Sequence, residues 1–474
     1  MVFGDPASGR GLDIAYLTDN SGQTYRLDVS DSVAQAAGGL ISLDRRQVEI
    51  RGVVVSAQTI GGIPTPAFIQ VASMQRAAWA LDEMVAGLTG QQRFVSILCR
   101  FSDSPSVSPR DVTYFNGLLG ATKPGINHFW RENSYQLINN DGAVVLDWAN
   151  LPHPRSHYVT SSAAGGADLQ ALAEDCTALA DGAVNFNDFV GINLMFNDDL
   201  DCCAWGGSKV LTLDGTTKAW PLTWMPPGGY NTEGVLAHEM GHAYGLPHSS
   251  GPYGQIYDSD WDVMSAAGRF GTPDPTYGFV GVHTIAYHKD KLDWLGSRRY
   301  DAAANACATI TIDYISQVPA TTGTYLAAKI PIGGSTSRFY TVEARKNFGY
   351  DSKLPGEAII IHDVDTTRRE PAHVVDGTLN NDPNDDGAMW LPGETYNDTT
   401  NGIKIEVLAD TTNGWDVRIT TGGGTCGTPP PPIISPAPGS TLTSNSVTFT
   451  GGHTGADLQH WLYVGTTGPG SSNL

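Results

Sequence analysis

The sequence predicts an α+β multidomain protein, in which an α/β domain is flanked by a small N-terminal β domain and a C-terminal β-sandwich. Three observations predict it. The chain holds 55 Gly and 28 Pro in 474 residues, a composition that favours short strands joined by turns. From about residue 90 to 298, continuous apolar runs alternate with helical spacing. Beyond residue 300 only short, β-branched runs recur.

Residues 1–88 read as the small β domain. "YRLDV" alternates, and "RQVEIRGVVV" is a β-branched strand in which Gly52 can seat a bulge. Residues 89–298 form the α/β domain. "RFVSILCRF" and "FVGINLMFN" are buried strands, "ADLQALAEDCTALAD" is a helix, and "YHKDKLDWLG" is a closing helix. Residues 299–423 carry "ATITIDYI", "RFYTVEAR", "EAIIIHDVD", "IKIEVLAD" and "WDVRIT", the strands of the sandwich. A Gly/Pro linker is expected over residues 424–436, because "GGGTCGTPPPPII" cannot build a packed core. Residues 437–474 hold two strand-like runs and are expected to be a partial immunoglobulin-like or fibronectin-like module, short beside the ~100 residues of a full one.

Charge narrows the partners. Acidic residues outnumber basic ones by 49 to 28, for a formal net charge of −21. Such a surface repels phosphate backbones and anionic lipid, so nucleic acid is not expected as a partner. No apolar stretch approaches the roughly 18 to 20 residues that span a bilayer, so membrane insertion is not expected either. The opening "MVFGDPASGRG" has neither a basic n-region nor an apolar h-region, so any export signal is expected to have been removed. Six cysteines, Cys99, Cys176, Cys202, Cys203, Cys307 and Cys426, include no CxxC pair. That spacing argues for disulfides or buried thiols over a cysteine zinc site.

The chemistry concentrates in "HEMGHAYGLPH", residues 238–248, three of only twelve histidines in the chain. On a helix, His238 and His242 project from one side, so both can bind one zinc ion, and Glu239 between them can reach a water on that metal. Gly245 permits the turn that returns His248 as a third ligand. Three histidines leave a tetrahedral zinc with an open position, the mark of a catalytic site.

HExxHxxGxxH, matched by His238, Glu239, His242, Gly245 and His248, is the defining motif of the metzincin metalloproteases, which this chain therefore resembles. The resemblance implies a metzincin-like catalytic domain, a secreted zinc endopeptidase, and a methionine in a tight turn beneath the metal. Met264, sixteen residues past His248 in "YDSDWDVMSAAG", is the candidate. Within the family the likeness is to secreted enzymes of the gametolysin and immune-inhibitor type. "FVSILCRFSDSP", "NHFWRENSYQLINNDG", "DWANLPHP", "LPHSSGPYGQIYDSDWDVMS" and "YDSKLPGEAIIIHDVD" carry it over roughly residues 90–420. Ala266 stands where astacin-like and serralysin-like members have a tyrosine, so no fifth ligand is expected from the turn. "FGD" at Phe3 to Asp5 is similar to the aspartate latch of astacin prosegments, but the spacing differs and no latch is assigned there. No cysteine precedes Cys99, which excludes a cysteine switch in residues 1–88 and leaves open whether that segment is inhibitory.

In such an enzyme Glu239 is the general base, with protein or peptide substrates, glycoproteins and extracellular matrix among them, and the chain acts as a monomer. Tyr257, His283 and His288 are further aromatic or basic candidates near the motif in sequence. Disulfides follow from an extracellular setting: Cys307 with Cys426 would brace the sandwich, while the adjacent Cys202 and Cys203 are expected to pair elsewhere, Cys176 being nearest. Calcium is a second expected ion. Asp382, Asn384 and Asp386 alternate before Gly387 as in half of a calcium loop, although the twelfth position is Gly393; Asp258, Asp260 and Asp262 also alternate. Two other classes compete: a glycan- or surface-binding protein with a vestigial zinc site, and a zinc amidase or esterase.

Overall fold

The chain folds into several β-sheets with short helices packed on them, a mixed α/β multidomain architecture dominated by strands. This computed structural model describes residues 1–6, 12–19, 21, 23–56, 58–60, 63–65, 67–77, 87–255, 257–266, 271–318, 323–424, 426, 433–435, 448 and 450–451.

The elements that build the site are, in chain order, β1 (Val2–Pro6), β2 (Leu12–Thr18), β3 (Thr24–Asp28), α1 (Asp31–Ala36), β4 (Val48–Val55), β5 (Phe68–Arg76), β6 (Phe94–Arg100), α2 (Ile126–Asn133), α3 (Leu169–Ala180), β7 (Gly191–Phe196), β8 (Cys203–Leu213), β9 (Thr216–Met225) and α4 (Glu233–Ala243). The strands among them lie in one eleven-stranded sheet, ordered β6-β7-β9-β8-β1-β2-β3-β5-β4, with Val144–Val145 and Ala149–Asn150 pairing the outer side of β6. β6, β7 and β9 are parallel, and β8 turns back antiparallel to β9. Helices cover both faces of the parallel part, which is why β6 reads as an unbroken apolar run. Phe94 and Leu98 meet α2 and α4 on one face, while Val95 and Ile97 meet α3 on the other.

Apart from a short hairpin of Gln58–Ile60 with Ile63–Thr65, residues 1–88 do not form a sheet of their own. They enclose a small core of Ala15, Leu27, Val29, Ala34, Leu40 and Val71, yet β1 hydrogen-bonds to β8 and makes their strands a continuation of the central sheet. The bulge expected at Gly52 is present as a register shift between Arg51 and Gly52. A Cβ on Gly52 would lie 2.3 Å from the Gln70 carbonyl, so a close backbone approach fixes the glycine.

The second half adds β10 (Ser249–Ser250), α5 (Ala286–Lys291), β11 (Cys307–Asp313), β12 (Ala327–Pro331), β13 (Arg338–Arg345), β14 (Ala358–Asp365), β15 (Ala372–Val374), β16 (Thr395–Asp398), β17 (Ile403–Asp410) and β18 (Gly414–Thr421). A six-stranded sheet runs β10-β15-β14-β13-β12 and ends on Arg299–Asp301. A four-stranded antiparallel sheet runs β11-β18-β17-β16. The two face each other through Ile359, Ile361 and Val342 on one side and Ile405, Val417 and Ile419 on the other. The opposite face of the six-stranded sheet, with Phe339, Ile360 and Val364, joins the hydrophobic core around α4. Burial on both faces explains the run "AIIIHDVD", which keeps no polar side until its last residues.

Cys99 bonds Cys176, tying β6 to α3, and Cys307 bonds Cys426 as expected. Cys202 and Cys203 bond each other, against the expectation that each pairs elsewhere. The reason is partner supply: Cys99 and Cys176 face each other across a packed strand and helix, and so neither is left for the adjacent pair. Ile433–Ser435 pairs with Thr450–Gly451. Otherwise the expected linker beyond Cys426 and the partial module of residues 437–474 lie almost wholly outside the described residues. No helix among the described residues is long and apolar enough to cross a membrane.

Candidate metal centre

Helix α4 presents the first two histidines. It is buried nearly all round, since every residue from Glu233 to Ala243 except Val235 is buried. Two glycines let it sit this deep. A Cβ on Gly241 would lie 2.3 Å from the sulfur of Met264, and a Cβ on Gly206 of β8 would lie 2.3 Å from the Glu239 carbonyl oxygen. Met264 thus lies directly against the helix between its two ligands, and β8 passes beside Glu239.

The helix stops in a Schellman turn. Gly245 adopts φ +93, its N–H donates to the His242 carbonyl at 2.9 Å, and the Leu246 N–H donates to the Gly241 carbonyl at 2.9 Å. An L side chain is disfavoured at that φ, so glycine is what allows the reversal. The chain then brings His248 back to the first two histidines.

The Nε2 atom of His242 is 3.0 Å from those of both His238 and His248. His238 Nδ1 is 2.6 Å from the Val263 carbonyl oxygen, and His242 Nδ1 is 2.7 Å from that of Leu246. A carbonyl only accepts, so each Nδ1 carries the proton and each Nε2 turns its lone pair inward. Lone pairs converging in a buried space repel one another unless a cation lies between them. Three imidazole nitrogens at ~2.0–2.1 Å from a tetrahedral zinc stand about 3.3 Å apart, close to the spacing here. The three residues fit a metal ion of imidazole-binding type, and Glu239 is fully buried next to the first of them.

A strand of the chain itself lies over this group. β1 pairs antiparallel with β8, with Phe3 opposite Gly206 and Gly4 opposite Trp205. The Phe3 ring stacks on the His242 imidazole, centroids 4.2 Å apart and planes 13° apart, and meets His248 edge-on at 5.5 Å. Asp13 Oδ1 of β2 is 3.8 Å from His248 Nδ1. Arg45 donates to the Ala243 carbonyl at 2.7 Å, capping the end of α4. Tyr257, at φ +56, stands edge-on to His248 with centroids 5.2 Å apart, and its hydroxyl is 3.5 Å from the Gly4 carbonyl oxygen. Asp13, Arg45 and Gly206 were not singled out by motif, and Phe3 was noted only within the "FGD" to which no latch was assigned. The paired glycines of "WGGSK" in an otherwise apolar strand were the one available signal of close approach.

His283 and His288 lie behind the site rather than in it. His283 Nε2 contacts Glu132 at 3.1 Å, and His288 Nδ1 contacts Asp262 at 2.8 Å. Burial pushes the Asp262 carboxyl up, but the His288 charge, with hydrogen bonds from His288, Ser249 and the Met264 N–H, outweighs it and holds the group at about 2. The acidic runs do not gather as calcium ligands. Among the described residues, the only groups of His, Cys, Asp or Glu converging at ligand distance are the three histidines and Asp201 with the bonded Cys202 and Cys203. Asn384 has its amide committed elsewhere, its oxygen accepting the Asp260 N–H at 2.7 Å and its nitrogen donating to the Asp258 carbonyl at 2.6 Å. Asp382 accepts the Asn384 N–H at 3.0 Å, and Asp386 is exposed. Asp258 bonds Ser250 and the Gly251 N–H. The two acidic turns brace each other through backbone. No protein-family model and no curated protein sequence matches the chain.

Proposed function

We propose that the protein is an extracellular zinc endopeptidase whose first strand occupies the place of a substrate. The observation that carries this is the convergence of three Nε2 atoms next to a buried glutamate, beside a strand, β8, that is already paired to another extended segment of the chain, β1. His238, His242 and His248 would hold the zinc, which supplies Lewis acidity toward a peptide carbonyl and lowers the pKa of a water toward about 7.

The chain's own residues do the rest. Glu239 takes the water proton on its carboxylate and delivers it to the departing amide nitrogen. The outer backbone groups of Ala204 to Gly207 on β8, which pair with β1 here, bind an extended substrate by strand addition. Phe3 and the flanking aromatic ring of Tyr257 keep water from the group in the covered state. Three disulfides fit an oxidising compartment and support secretion.

The test is casein hydrolysis by the full chain, with and without a zinc chelator, beside Glu239→Ala and a variant with β1 displaced. Chelator-sensitive turnover that rises when β1 is displaced and vanishes in Glu239→Ala is expected. Stoichiometric zinc with no hydrolysis of protein substrates by any of these chains would point instead to the surface-binding class or to a non-peptide substrate.

A further inference from the structure

We propose that the six-stranded sheet is part of the metal centre, and that Ser249, Asp262 and Arg345 are positioning residues for the third ligand and the methionine turn. The inference rests on reading the three histidines as metal ligands. It assigns a role to a region the sequence presents as a separate sandwich.

His248 lies outside α4, so the helix that orients His238 and His242 does not orient it. The next two residues do. Ser249 and Ser250 form β10, which pairs in parallel with β15, Ser249 against Ala372 and Ser250 against His373. The residue after the third ligand is therefore an edge of a sheet whose other strands come from beyond residue 298.

A second tie uses side chains. Ser249 Oγ donates to Asp262 Oδ2 at 2.6 Å, and Asp262 Oδ1 accepts the Met264 N–H at 3.2 Å. One carboxylate thus joins the third ligand's neighbour to the turn that carries Met264. Between them, Val263 offers its carbonyl to Nδ1 of His238. The run Asp262–Met264 touches the first ligand through Val263, the third through Ser249, and the helix of the second through Met264 against Gly241.

The sheet grips this run from behind. Arg345, on β13, donates Nη1 to the Trp261 carbonyl at 2.6 Å and is held by Glu343 at 2.9 Å and Asp351 at 3.0 Å. Arg345, Glu343, Asp351, Asp262 and His288 are all fully buried. Buried charges are a costly way to join two layers that apolar contacts already join. Orienting metal ligands through outer partners is a task that such a network performs, because ligand direction decides affinity.

The experiment uses the full chain and two probes, zinc affinity by competition with a chelating indicator and the visible absorption of bound Co2+. Ser249→Ala removes one hydroxyl from the tie. It is expected to weaken zinc binding by roughly 10- to 100-fold and to alter the cobalt bands, while the metal-free protein melts within a few degrees of the unaltered chain. Arg345→Lys, which keeps the charge but loses the two-pronged geometry, is expected to alter the cobalt bands in the same direction. The proposal is overturned if Ser249→Ala keeps the zinc affinity and cobalt spectrum of the unaltered chain, whatever its melting temperature. Failure of the metal reading looks different: the unaltered chain would then bind neither ion more tightly than His248→Ala does.

Discussion

Glu233 and Glu239 lie less than two turns apart on one helix and face opposite demands on their protons. In the proposed mechanism Glu239 takes and gives up a proton. Replacing it with alanine is expected to lower peptide hydrolysis by about 10²- to 10⁴-fold while zinc stays near one per chain; His248→Ala is expected to lose the zinc, and mass spectrometry alongside turnover separates the two. Glu233 instead holds its proton. Burial pushes its carboxyl up from the usual 4.5 to about 8, offset only in part by the Gly281 N–H, which it accepts at 2.8 Å. A carboxyl raised on folding contributes stability that is complete below about pH 4.5 and declines as pH rises through about 8. Glu233→Gln keeps the acceptor and removes the titration. Its melting temperature is expected to fall less between pH 5 and 8 than that of the unaltered chain; equal slopes in calorimetry would show that Glu233 is not the group responsible.

At the scale of elements, β1 and β8 are the pair on which access would depend in the proposed enzyme. Gly4 faces Trp205, and a Cβ there would stand 2.4 Å from the indole ring. Trp205 is buried and its indole N–H is bonded to Asp201 at 2.9 Å, so the ring cannot yield. Gly4→Val is therefore expected to lift β1 from β8 and to raise hydrolysis by the full chain severalfold; unchanged turnover with β1 displaced would separate coverage from latency. This pairing was not legible in the sequence, because "VFGDP" is too short to show a period of its own and its partner lies about two hundred residues on. Helix α4 and the Gly245 turn were legible, because each follows from spacing within a few residues, whereas Met264 was reached only through the resemblance to the metzincins. The helix's burial on all sides was not legible, since it depends on Gly206 and on β1. Asn384 misled for the same reason: an alternating acidic loop looks alike whether its amide meets a cation or the backbone of a distant turn.

The whole molecule is less divisible than its composition shifts imply. The boundary near residue 88 is crossed by β1, and the one near 298 by β10 and by the shared core between α4 and the six-stranded sheet. A chain ending at residue 298 is expected to bind no zinc and to lack a cooperative melt, because it loses the strand beside Ser249 and the far wall of its core. A chain ending just after Cys426, which keeps the bond to Cys307, is expected to hydrolyse a short soluble peptide like the full protein; a large loss would show that the tail belongs to the active unit.

The reach of β1 across the sequence has a consequence in time. Val2 pairs with Gly207, so during synthesis the first strand waits for about 200 further residues, which at ~5–20 residues per second is roughly 10–40 s. Until β8 emerges β1 has no partner, and β8 already has β9 as its immediate successor across a two-residue turn. Hairpin closure is local and fast, whereas β1 must find the far edge of that hairpin across a long loop. The β8–β9 hairpin therefore closes before β1 joins it, and each newly made molecule passes through an interval in which the outer edge of β8 is open.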